Sequence, residues 1–366
     1  MSSDLRVVIF GYGLAGRSFH APLIQATEGL AVAGIVTADA ERTAQAYGDN
    51  LGVQVYASAE EAFAQSDDFD LAIIAGANSS HVPHAMRAID AGWHAVVDKP
   101  FAPNAAAAHE IFTAAASRGV VITAFHNRRW DSDFLTIDAL MRTAPIGPVH
   151  RLESRLERLR PVPQRSWKGS NDPAELAGLL LDFGSHLVDQ AIQLMGPVAF
   201  VDCWTRNVRS PDSPVDDLHI TLFHSSGAVS EIIGSQASVF TEPRFTVLGL
   251  TGGIRTLGFD IQEPQLRANP DASAPDFGVE SAEAAAYVVI VDANGSARES
   301  REPLIRGAWN TFYPAIRDAI RHGSPLPVPP QDVIETLRVL DAAAASAVQG
   351  NRVRLQPPAR HTRHTE

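Results

Sequence analysis

Lysine, cysteine and long apolar runs are what this chain of 366 residues has least of. One cysteine, Cys203, excludes an intrachain disulfide and a thiolate metal cluster. No apolar stretch is long enough to span a bilayer. The start, Met1-Ser2-Ser3-Asp4, lacks the basic region, apolar core and cleavage site of a secretory signal, so a cytoplasmic location is expected. Dense runs of Lys or Arg are missing as well. With a net charge of -12 and a pI of about 5.5, this argues against nucleic acid or an anionic membrane as partner. What remains is ordinary for a globular protein: 45% hydrophobic residues and a mean hydropathy of -0.04. The length suffices for two domains with separate cores, and there is no internal repeat.

The two lysines are Lys99 and Lys168, so arginine serves wherever a surface cation will do. Lysine is a compact charge whose pKa can be lowered, whereas arginine stays protonated. Lys99 closes the run His94-Ala95-Val96-Val97-Asp98-Lys99-Pro100. An ionisable residue at the carboxyl end of a buried strand points into the crevice where open α/β sheets bind ligands. The competing reading is an ordinary loop lysine.

The amino-terminal third reads as a dinucleotide-binding unit. Leu5 to Phe10 is a β-rich run, and Gly11-Tyr12-Gly13-Leu14-Ala15-Gly16 follows it directly. Gly11 permits a tight turn, Gly13 lets backbone approach a pyrophosphate, and Gly16 lets the next helix pack closely. That helix would offer free N–H groups and a positive dipole end to phosphates. Strands at 30–36, 53–56, 71–75, 94–98 and 120–125 alternate with helical segments, as a doubly wound parallel sheet requires. The end of the second strand bears on the cofactor. Thr37 carries no charge to repel a 2′-phosphate and Arg42 is in reach of one, which favours NADP over NAD. Asp39 is the counter-argument, and Arg42 has an alternative reading as a solvated helix residue.

Farther along, Gly178-Leu179-Leu180-Leu181-Asp182-Phe183-Gly184-Ser185-His186 places Asp182 and His186 four residues apart, on one helical face. Histidine exchanges protons near neutral pH, and a carboxylate beside it can orient the ring. The bland alternative is a capping aspartate and a satisfied, half-buried histidine; Asp189 lies on a similar face.

Taken together, these residues resemble the Gfo/Idh/MocA oxidoreductase family. Gly11, Gly13 and Gly16 match its cofactor loop. Asn78 and His81 stand where members commonly place Asn and His. Asp98-Lys99-Pro100 matches the Glu-Lys-Pro signature with Asp for Glu, and Asp182 and His186 match the D-x-x-x-H helix. The stretches 11–24 and 127–131 look like the branch that includes NADP-linked scyllo-inositol dehydrogenases and related sugar oxidoreductases.

The resemblance implies a Rossmann domain, 1–125, followed by an α/β domain with a large open, mostly antiparallel sheet, 126–355. A disordered tail, 356–366, is expected behind them. It implies an NAD(P)-dependent dehydrogenase acting on a secondary alcohol or ketone of a sugar, inositol or related polyol, with no metal. Lys99, Asp182 and His186 would be catalytic, with Asp182 setting the imidazole. Gly11, Tyr12, Gly13, Leu14, Ala15, Gly16, Thr37, Arg42, Asn78, His81, Lys99 and Trp167 would hold the cofactor, and Asn127 and Arg129 would reach substrate. The exposed sheet implies self-association to a dimer or tetramer. A sensor or scaffold of the same fold without turnover is the alternative.

Overall fold

The computed structural model describes residues 4–50, 52–162, 169–240 and 242–356. Its first sheet contains β1 (Leu5–Phe10), β2 (Leu30–Val36), β3 (Gln54–Tyr56), β4 (Leu71–Ile74), β5 (His94–Val97) and β6 (Ile122–Ala124). They run parallel in the order β3-β2-β1-β4-β5-β6, the doubly wound arrangement of dinucleotide-binding folds. Crossover helices cover both faces of such a sheet, so its central strands are apolar throughout. Val7 to Phe10 and Leu71 to Ile74 are all buried. The helices begin and end on local chemistry. Asp39 accepts a hydrogen bond from Arg42 N and caps Ala40–Asp49. Asn104 caps Ala105–Arg118, which Gly119 ends in the left-handed region.

The second sheet has nine strands: β7 (Val149–Glu157), β8 (Val198–Arg206), β9 (Asp217–His224), β10 (Val229–Ser235), β11 (Phe245–Gly249), β12 (Gly252–Thr256), β13 (Ala285–Val291), β14 (Ala297–Pro303) and β15 (Val353–Arg354). Their order is β14-β13-β12-β11-β7-β10-β9-β8-β15, and every pairing is antiparallel except β7 with β10. Helices Gly184–Met195 and Pro330–Gln349 pack on this sheet. Alternation along β7 turns Leu152, Ser154 and Leu156 inward. On the other side Arg151, Glu153, Arg155 and Glu157 form a charged ladder, joined by the His219–Glu231 pair.

Helix Pro330–Gln349 also contacts helix Ala105–Arg118 and β6, which couples the two sheets. Buried hydrogen bonds pin the same joint: Thr123 Oγ1 donates to Val328 O, and His20 Nδ1 meets the Tyr313 hydroxyl at 2.6 Å.

The sequence left β7, β14 and β15 unnamed. In β7 the inward row is interrupted by the polar Ser154, which weakens the two-residue period, and β14 is almost wholly exposed. The segment around Asp182 also differs from one continuous helix. It is a short α-helix, Leu179–Asp182, followed after Phe183 by the helix Gly184–Met195. Of the expected tail, residues 357–366 lie outside the described part.

Candidate active site

A cleft of about 420 Å³ opens along the carboxyl ends of β1, β4 and β5 and is closed by the second domain. Its glycine end is shaped by steric necessity. Gly11 has φ of 97°, and a side chain there would meet Gly76 Cα at 2.7 Å; at Gly16 it would meet Gly11 O at 2.0 Å. Gly13 is different, because its added Cβ would find only Arg42 Nη1, at 4.0 Å. The protein leaves that space open, which fits the close approach of a dinucleotide phosphate. Leu14 and Ala15 line the same end, and the chain then winds through a π segment, Gly16–His20, into Ala21–Gln25. Tyr12 turns away: its ring is buried, its hydroxyl donates to Asp49 and accepts from Asn50, and burial pushes its pKa up to about 12. Its contribution to the loop is therefore backbone.

Thr37 follows β2 directly and is buried, its N–H donating to Tyr56 O. Arg42 lines the cleft, and its guanidinium has no partner among the described residues. Asp39 is occupied in capping.

The middle of the cleft carries the Asp98-Lys99-Pro100 turn, whose Lys99–Pro100 peptide is cis. Asp98 Oδ1 accepts from Lys99 N at 2.7 Å. His81 Nδ1 lies 2.8 Å from Pro100 O, and because a carbonyl only accepts, that nitrogen carries the proton. His81 thus braces the lysine turn, and burial lowers its pKa. Asn78 lines the cleft and donates from Nδ2 to Leu176 O at 2.9 Å, clasping one rim to the other.

Lys99 Nζ donates to Asp182 Oδ1 and, at 3.3 Å, to Asp182 O. The carboxylate expected to steer His186 is therefore held by the lysine. His186 is buried, and its Nδ1 has no partner. Burial above all, then the charges of Lys99 and Arg128, hold its pKa well below the ordinary histidine value, so the ring is neutral at neutral pH. Lys99 and Asp182 line the cleft, whereas the neutral His186 feels the Lys99 charge but is not among the lining residues.

Other expected residues fall elsewhere. Arg129 donates to both oxygens of Asp189, at 2.8 and 2.6 Å, and to Asp332 at 2.8 Å, in a buried network. That fork ties the 127–130 turn to helices Gly184–Met195 and Pro330–Gln349, and it accounts for Asp189. Asn127 is buried in the same turn and does not line the cleft. Trp167 lies outside the described residues.

Sequence reading missed Arg209 and His126. Arg209 lines the cleft, with Nε on Asp216 at 2.8 Å and Nη1 on Arg160 O at 2.9 Å. His126 is buried beside Arg129 and Asp189, and burial lowers its pKa. Neither sits in a local motif, and His126 does not line the cleft. Among the described residues no group of three His, Cys, Asp or Glu side chains is placed to hold a metal ion.

A doubly wound parallel sheet with a glycine turn, a ligand-sized cleft and a lysine–carboxylate pair defines a two-domain dinucleotide-binding oxidoreductase. The comparisons agree. Residues 5–126 match the oxidoreductase family NAD-binding Rossmann fold, and 140–355 match the oxidoreductase family C-terminal alpha/beta domain. The chain belongs to the Gfo/Idh/MocA oxidoreductase family. It is 32% identical to the oxidoreductase YdgJ of Escherichia coli, over 95% of this chain and 97% of that protein. It is 30% identical to the NADP(+) scyllo-inositol 2-dehydrogenase IolW of Bacillus subtilis, over 96% of each. The solved structure of the oxidoreductase YvaA of Bacillus subtilis superposes with a TM-score of 0.89 at 28% identity, over 97% of this chain and all of that one.

Proposed function

We propose that this chain is a cytoplasmic dehydrogenase that interconverts a secondary alcohol and a ketone on a sugar, inositol or related polyol, with NADP preferred over NAD. The observation that carries this reading is Lys99, held by Asp182 at the carboxyl end of β5, in the cleft that begins at the open Gly13. A bound nicotinamide supplies the hydride acceptor or donor. The protein supplies the rest. Lys99 donates to the substrate oxygen and stabilises its developing negative charge. Asp182 fixes the ammonium in place. The neutral His186 takes the hydroxyl proton at Nε2, since Nδ1 is sealed.

The unpaired Arg42, the uncharged Thr37 and the likeness to an NADP(+)-linked relative support the cofactor preference. Self-association to a dimer or tetramer through the charged face of the nine-stranded sheet is part of the same proposal. The test is nicotinamide absorbance with NADP+ or NAD+ over a panel of inositols, aldoses and other polyols. Turnover of at least one panel member, faster with NADP+, is expected. Tight cofactor binding without turnover of any of them would favour a sensor.

A further inference from the structure

Arg158 is a half-buried cation with no direct ion-pair partner among the described residues, although the charges of Asp182 and Glu263 reach it. It follows β7 by one residue, and the alternation that turns Leu152, Ser154 and Leu156 inward carries its side chain to the same face. Its N–H donates to Ser235 O at 3.0 Å; Gln236, just after that strand, lines the cleft, while Arg158 itself is not among the lining residues. The guanidinium carbon lies 5.0 Å from the centroid of the Phe183 ring, directly after Asp182. Its Nε is sealed from solvent without a hydrogen-bond partner, and no carboxylate pairs with it among the described residues.

The neighbouring acids are engaged elsewhere. Asp182 holds Lys99, while Glu263 meets Arg128 at 3.4 Å and Arg267 at 3.7 Å. The following chain offers no acid either. From 158 to 171 the sequence has Arg158, Arg160, Arg165 and Lys168 and no Asp or Glu, in a protein of net charge -12. A half-buried charge with no hydrogen-bonded counterion is costly, and arginine cannot escape by losing its proton.

We infer that the substrate itself carries an anionic group, a carboxylate or a phosphate, and that Arg158 binds it beside the Lys99–Asp182 pair. This rests on the dehydrogenase reading of the same cleft. The substrate class narrows to sugar acids or sugar and inositol phosphates. Arginine presents a planar fork that matches either group.

The test uses the full protein and follows binding through the fluorescence of bound NADPH, in the complex that cannot react, and turnover with NADP+. Glucose, galactose and myo-inositol are compared with glucuronate, galacturonate and myo-inositol 1-phosphate. The charged member of at least one pair is expected to bind about 10- to 100-fold more tightly than its neutral partner, as hydrogen bonds to charged groups allow. Arg158→Gln should abolish that preference without weakening the neutral compound, and Arg158→Lys should recover part of it. Removing Arg158 strands no partner, so both variants should melt near wild type. Whether the uronates or the phosphate gain most identifies the anion.

Equal binding within every pair, or a preference unchanged in Arg158→Gln, would overturn the assignment. Anion preference without turnover would support Arg158 and contradict the dehydrogenase reading. Turnover of neutral sugars without anion preference would do the reverse.

Discussion

Removal of the Lys99 ammonium should cost catalysis far more than folding. Its contact with Asp182 joins side chains that are 18% and 35% exposed, so solvent screening limits the stability of the pair to roughly 1 kcal/mol or less. Loss of one well-placed donor to a charge that develops in the reaction costs about 2.7–4 kcal/mol of barrier, or roughly 10²–10³ in kcat. Lys99→Ala is therefore expected to lower kcat by that factor, with the melting temperature and NADP affinity nearly unchanged. Lys99→Arg keeps the charge but exchanges a compact ammonium for a planar fork, and should recover only a fraction. The assay is steady-state nicotinamide absorbance, with cofactor titration by fluorescence and a thermal melt on each variant. A Lys99→Ala enzyme with kcat close to wild type would reduce Lys99 to an ordinary loop cation. Equal losses of kcat and melting temperature would make it structural.

Arg42→Ala should raise the KM for NADP about tenfold or more, since a charged hydrogen bond to phosphate is lost, and leave that for NAD unchanged. Equal effects on both cofactors would refute contact with the 2′-phosphate. The loop glycines should separate. Gly13→Ala enters open space, so it should fold normally and bind cofactor poorly, whereas Gly16→Ala collides with Gly11 O and should fold poorly. Urea midpoints and cofactor titrations would reveal the opposite pattern. Burial lowers the pKa of His20 to about 4. The unfolded chain takes up its proton below about 6.5 and the folded one only near 4, so stability is lost as the pH is lowered through that window, by roughly 3 kcal/mol in all. His20→Asn should flatten this loss in urea titrations at pH 7 and pH 5; an unchanged slope would refute it.

Much of the first sheet was legible because its strands are continuous apolar runs and its loop glycines answer local steric demands. Gly11 and Gly16 have no room for a side chain, and that constraint is written within six residues. Lys99 stood out because the chain uses lysine so sparingly. The partners of these residues were less legible. Spacing paired Asp182 with His186, but the carboxylate meets Lys99, 83 positions away. Arg129 reads as a cleft residue in its motif, yet Asp189 and Asp332 claim it through contacts that no local pattern records. Strand β7 was hidden because the polar Ser154 interrupts its inward row between Leu152 and Leu156.

The most direct test of hydride transfer in this cleft is label tracking. The fastest substrate of the polyol panel is prepared with deuterium on the reacting carbon and turned over once with NADP+ on the wild-type enzyme. Deuterium on nicotinamide C4, together with a slower rate for the labelled compound, is the expected result. Deuterium retained on the product, or lost to water while the nicotinamide gains none, would contradict direct hydride transfer.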